Sequence, residues 1–282
     1  MTPEGIDVHV NHFSYGLLTP GLAYALSVLG SLLGLVCTAR ARRIADSGRR
    51  ARWLVLAAWA IGGTGIWVMH FMAMIGFSVP GLPVRYDVTI TLASFIAAIV
   101  VVGIGLFIVG FGRPSAIKII AAGVFTGVGV AAMHYTGMAA MRVPAAVQYD
   151  RTLVAASVGI AVVAATVALW FTVTLRRWWL ITIAALIMGI AVSGMHYTGM
   201  YALRLFSEVN GRQIEGITPI TFVGPIAVFV IAVIVVLFGA LLNRAEADGP
   251  GDPTLRLVVP PVTPLDRRGA QRTSPSAFVS RR

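Results

Sequence analysis

The 282-residue chain carries little charge: only 12% of its residues are Asp, Glu, Lys or Arg, about half the share of a typical soluble domain. With 57% apolar residues and a mean hydropathy of +0.85, it lacks the polar surface that a water-soluble globule needs. Cysteine is nearly absent. A lone Cys37 closes no intramolecular disulfide and excludes a four-thiolate zinc or iron–sulfur site. Acidic residues number 11 against 22 basic ones. The resulting +11 is not a nucleic-acid footprint, because the basic residues lie between apolar segments and in the C-terminal stretch, where membrane topology is encoded. The composition defines a polytopic membrane protein.

What the chain has in abundance is long apolar runs. Seven are long enough to span a bilayer as helices, at 17–37, 53–77, 87–111, 118–141, 152–175, 179–203 and 220–242. They are continuous rather than alternating, which excludes a closed β-barrel. The expected fold is all-α: three tandem two-helix hairpins followed by one extra helix. Residues 1–16 contain Glu4 and Asp7 and have no basic start, so the first run reads as a retained span rather than a signal peptide. The linkers at 112–117 and 176–178 are short enough to force antiparallel neighbours.

Basic residues predict the orientation. Arg40, Arg42, Arg43, Arg49, Arg50, Arg52, Arg113, Lys118, Arg176, Arg177 and seven arginines after residue 243 fall on one side, 17 of 22 in all. Arg85, Arg142, Arg151, Arg204 and Arg212 fall on the other. By the positive-inside rule the first side is cytoplasmic, leaving the N-terminus outside and the C-terminus inside. The expected parts are an extracytoplasmic segment (1–16), a six-helix membrane domain (17–205), an outer loop (206–219), the seventh span (220–242) and a tail (243–282). The tail holds six of the fourteen prolines and seven arginines, and reads as disordered.

Self-comparison reveals an internal repeat. Segments 62–74, 126–138 and 188–200 align without gaps and place His70, His134 and His196 at intervals of 64 and 62 residues. Each has a Met before the His (Met69, Met133, Met195) and a Met four residues after it (Met74, Met138, Met200). On a helix the His and the later Met share a face one turn apart. Small residues precede each His, as in Gly63/Gly65, Gly127/Gly129 and Gly189/Ala191, and let helices approach closely in lipid. The expected packing gathers the even-numbered helices at the centre, with their histidines roughly 10 Å below the outer end. An ionisable group at that depth is costly and usually functional.

Imidazole with thioether favours a soft metal, copper above all, over hard cations. Haem ligated by His and Met is the main rival. A proton relay through the histidines is a third reading, weakened because spans 2–6 contain no carboxylate except Asp87 at a span start. A bland alternative treats the histidines and methionines as core packing. Tyr86-Asp87 and Tyr149-Asp150 recur at span starts, where aspartate caps a helix. His9 and His12 lie outside the repeat and read as solvated, and Cys37 as inert.

Met133-His134-Tyr135-Thr136 and Met195-His196-Tyr197-Thr198, with the variant Met69-His70-Phe71-Met72, resemble the MHYT family of bacterial membrane sensory domains. The likeness covers about residues 9–205. It implies six membrane helices and a copper site sensing oxygen, carbon monoxide or nitric oxide, with His70, His134, His196, Met69, Met133 and Met195 as ligands. Members often carry cyclic-dinucleotide synthesis or hydrolysis domains, which this sequence does not contain. The expectation is therefore a non-enzymatic sensor acting on a separate cytoplasmic partner. The alternative is a copper-handling protein that supplies a respiratory enzyme.

Overall fold

The computed structural model describes residues 9–207 and 214–245. Seven helices are long and apolar enough to cross a membrane: α1 (Leu18–Ala41), α2 (Ser47–Ile75), α3 (Val88–Gly110), α4 (Ala116–Ala139), α5 (Arg151–Thr174), α6 (Trp178–Tyr201) and α7 (Val223–Ala245). A single 3-10 turn, Pro219–Phe222, leads into α7. The expected spans are recovered with boundary shifts of a few residues, the largest at the start of α2. α2 begins at Ser47, six residues before the apolar run, because Asp46 accepts the Arg49 N–H and starts the helix among arginines. The tail from residue 246 and residues 1–8 lie outside the described residues, so the expectation of a disordered tail is not addressed. One compact unit runs from Met1 to Gly239, and a second, Ala240–Arg282, is described only as the end of α7.

Local sequence explains the helix starts. Asp87 accepts the Ile90 N–H at the head of α3, Ser115 the Lys118 N–H at the head of α4, and Asp150 the Thr152 and Leu153 N–H groups at the head of α5. The α3–α4 turn closes at Gly112, whose φ of +73° suits a residue without a side chain.

Helices α1 to α6 form a closed ring in chain order, with α6 returning to α1. Within the ring the even-numbered helices turn similar faces toward one another and converge where their histidines meet. The ring closes tightly because glycines sit at the crossings. A Cβ on Gly30 of α1 would lie 2.2 Å from the Gly65 N of α2, and one on Gly62 would lie 2.7 Å from the Ala98 carbonyl of α3. Between these contacts α2 is wound as a π-helix over Trp59–Val68, and apart from Trp59 that stretch is buried. Helix α7 packs outside the ring, where Phe229 meets Trp59 of α2 and Phe95 of α3.

Short strands tie the connections at the histidine end. Strand β1 (Arg85–Tyr86) pairs antiparallel with β2 (Met141–Arg142), and β3 (Ala145–Tyr149) with β4 (Leu203–Ser207). Each joins the segment after one repeat to a segment flanking the next. The Asp87–Arg142 pair at 3.0 Å and the Asp150–Arg204 pair at 3.8 Å repeat the same link. The tyrosine–aspartate pairs are therefore structural caps and ties.

Candidate metal centre

The three repeats place His70 on α2, His134 on α4 and His196 on α6, each 1% exposed. Their rings form a triangle, with centroids 4.9, 5.0 and 5.1 Å apart and planes crossed at 81–85°. His70 Nδ1 lies 3.0 Å from His196 Nδ1 and 3.1 Å from His134 Nδ1. One ring nitrogen carries either a proton or a lone pair, so His70 Nδ1 cannot form two well-aligned hydrogen bonds with both partners. Three nitrogens on one tetrahedral ion with bonds of about 2.0 Å would stand about 3.3 Å apart. The observed spacings are within a few tenths of an ångström of that value. The two Nδ1 spacings thus fit a small cation held by nitrogen ligands.

Each letter of the repeat has a visible job. The tyrosine of the second repeat, Tyr135, reaches α5 and bonds Ser157 Oγ at 2.7 Å. Threonines fold back on their own helix, Thr136 to the Ala132 carbonyl and Thr198 to the Gly194 carbonyl. In the first repeat Phe71 replaces tyrosine and packs on Trp67, Tyr86 and Phe222. The glycines seat the histidines of the neighbouring repeat. A Cβ on Gly137 would lie 2.5 Å from His70 Nε2, and one on Gly199 2.3 Å from His134 Nε2. Ala73 holds the matching position in the first repeat and packs against Ala23 and Met69. Both of those Nε2 atoms are buried without a hydrogen-bond partner. Sequence reasoning treated these glycines only as part of the motif; their regular place three residues after each His was the available signal.

All six expected methionine ligands are buried, at 1–2% exposure. Met69 lies in a packed group with Ala23, Ala73, Val192 and Tyr197, which gives its side chain a packing role. Met195 borders a cavity of about 490 Å³ in the middle of the ring. The three histidines are brought together, with one ligand nitrogen from each lying within 4.8 Å of the others. Directly beneath them, Ile66, Val130 and Val192, each four residues before a histidine, line the same apolar cavity.

His12 departs from the solvated reading, whereas His9 is exposed as expected. The ring of His12 stands 4.8 Å from that of Tyr201 and 5.6 Å from that of Phe77, and its Nδ1 is buried without a partner. Burial, followed by the neighbouring His9, lowers its pKa from the ordinary histidine value. Cys37 is buried at 2% exposure, away from the histidines and toward the opposite end of α1.

Three crossed histidines on repeated membrane helices form a buried candidate metal centre in a multi-pass inner-membrane protein. The sequence model of the MHYT family, described as a bacterial signalling protein N-terminal repeat, matches residues 63–122, 127–185 and 189–251. The chain belongs to that family. The third match carries on through α7, so the family repeat runs from one His segment to the next rather than hairpin by hairpin. The chain is 35% identical over 245 residues to the bifunctional diguanylate cyclase/cyclic di-GMP phosphodiesterase MucR of Pseudomonas aeruginosa, covering 83% of this chain and 35% of that protein. It is 36% identical over 204 residues to the cyclic di-GMP phosphodiesterase NbdA of the same organism, covering 70% and 26%. With the signaling protein YkoW of Bacillus subtilis it shares 29% identity over 163 residues, 54% of this chain and 20% of that one. The chain thus spans about a third or less of the relatives' own length. No solved structure matches it.

Proposed function

We propose that this chain is the sensing portion of a membrane signalling system, in which His70, His134 and His196 hold one copper ion through Nδ1 and the centre responds to a diatomic gas. The convergence of three buried histidines, with His70 Nδ1 3.0 and 3.1 Å from the Nδ1 atoms of the other two, carries this reading. Copper bound there would supply redox chemistry and a coordination position for a small ligand; the histidines hold and orient it. Met74, Met138 and Met200, one turn beyond the histidines, supply soft donors if the shell expands. In this reading the histidine end faces away from the cytoplasm, and helix shifts are read at the opposite, arginine-rich end by a separate partner. The relatives' names, which pair this region with cyclic di-GMP enzymes, support a signalling output of that kind.

The observations favour a fixed ion over haem and over copper transfer. Axial nitrogens on a haem iron stand about 4 Å apart with the macrocycle between them, whereas these nitrogens are 3.0–3.1 Å apart. A transfer path would need donors continuing along the axis, but the cavity below the histidines is apolar and offers only Met188 and Met195. Metal analysis and an optical spectrum of the purified protein test the reading. About one copper per chain without a Soret band is expected. A Soret band, or protein free of metal after growth in copper, would overturn it.

A further inference from the structure

At the end of the ring opposite the histidines, the three hairpin turns surround a second cavity, of about 500 Å³. Its charged lining is Arg42, Arg43, Arg50 and Arg176, with no Asp or Glu. Asp46 is the one carboxylate at this end among the described residues, and it faces elsewhere: it caps α2 and pairs with Arg49 at 3.4 Å in an exposed position. Arg50 is pinned by two bonds to the Ile44 carbonyl, from Nε at 3.1 Å and Nη2 at 2.8 Å. Arg42 spends Nη2 on the Leu175 carbonyl, while its Nη1 is buried with no partner. Burial and the nearby Arg176 and Arg43 all press the Arg42 pKa downward, the signature of cations crowded together without a counter-charge.

Membrane orientation alone requires arginines at this end but not their convergence. Arg43 and Arg176 are exposed like Arg49 and Arg52, but they line the cavity, and Arg49 and Arg52 do not. A buried guanidinium nitrogen without an acceptor is costly, and arginines lining one space, with Arg50 held on the Ile44 carbonyl, select an oxyanion that accepts paired N–H bonds. The rest of the wall is apolar, from Leu54, Leu106, Val109 and Val173. That half suits the carbon body of an amphipathic ligand.

We propose that this cavity binds a phosphoryl group, seated among Arg42, Arg43 and Arg176, with the apolar part of the ligand against Leu106 and Val109. The phosphoryl group comes from one of two sources, an anionic phospholipid of the adjacent leaflet or a soluble phosphate ester. The proposal is independent of the metal centre, and its test needs no metal.

The full chain would be placed in nanodiscs of phosphatidylcholine alone or mixed with phosphatidylglycerol. Lipid retained on release from the discs would be counted by native mass spectrometry, and thermal unfolding followed with and without inorganic phosphate. A lipid source predicts selective retention of phosphatidylglycerol. A soluble source predicts stabilisation by inorganic phosphate in the neutral discs. The double variant Arg42→Gln/Arg176→Gln should weaken either effect about tenfold, the loss expected from removing charge-assisted hydrogen bonds. Arg49→Gln/Arg52→Gln, with the same charge change outside the cavity, should leave it intact. Equal losses in the two double variants would overturn the proposal, as would a wild-type protein that neither retains the anionic lipid nor responds to phosphate. The wild-type measurement decides the matter even if a variant fails to fold.

Discussion

At the histidine end, polar side chains are buried and turned toward one another; at the arginine end, they ring a cavity and face open space. The same six helices make both ends, but the repeat is expressed unequally. His70, His134 and His196 come one from each repeat, and Gly137 and Gly199 each seat the preceding histidine. At the other end the α1–α2 segment supplies Arg42, Arg43 and Arg50, the α5–α6 turn supplies Arg176, and the α3–α4 turn contributes Gly112 and Pro114. A centre built on one shared point holds all three repeats to one pattern. A cavity bordered by separate turns lets each turn diverge.

The largest effect that separates the two ends is loss of the metal. Changing His70, His134 and His196 together to Gln should abolish copper binding while keeping hydrogen-bonding capacity, as read by metal analysis. Unchanged copper in that variant would reduce the histidine end to a packing device. Reporter fusions sharpen the comparison by assigning each end a compartment. Fusions after Arg43 and Arg177 should report the cytoplasm and a fusion near Asn210 the outside, and an external signal after Arg177 would invert the picture.

A smaller effect is expected at the glycines. Gly199→Ala puts a methyl group where it would lie 2.3 Å from His134 Nε2, so the ring must shift. Overpacking of this kind costs roughly 1–3 kcal/mol, and metal affinity should fall, whereas Gly159→Ala, which meets nothing within 4 Å, should leave binding unchanged and not lower stability. Thermal unfolding and metal titration of both variants would show whether the seat matters.

The smallest expected effect concerns the ties at the histidine end. The Ile90 N–H, followed by the Arg142 side chain, holds the Asp87 carboxyl below its ordinary value of 3.8. A depressed carboxylate stabilises the fold at all pH values above that ordinary value, and its contribution is lost as pH falls through the lower folded value. Hydrogen exchange in the first turn of α3 should therefore be insensitive to pH near neutrality, apart from its intrinsic rate, and Asp87→Asn should accelerate it modestly. No change on substitution would show that the pairing with Arg142 and the cap are redundant.

Much of this was legible in the sequence because a membrane penalises ambiguity. A helix in lipid must satisfy its own backbone, so apolar length alone gave the seven spans. The nearly equal spacing of His70, His134 and His196 put them at one depth, and closure of the ring then brought them together. The ring order was not legible, since it depends on glycine contacts such as Gly30 with Gly65 that no periodicity encodes. Nor was the shelter of His12, which comes from Tyr201 and Phe77, both distant in sequence. The strands escaped notice because two to five residues between long apolar runs carry a weak signal beside the helices.

The apolar cavity between the two ends also makes the bundle an electrical insulator. An ion travelling along the axis from the histidines would have to pass the collar of Ile66, Val130 and Val192 and then cross some 490 Å³ of space with almost no polar lining. Transfer of a bare charge into such surroundings costs far more than thermal energy supplies. The cavity therefore opposes passage of a bare charge between the two ends, and in the proposed reading the signal crosses as displacement of helices rather than as current.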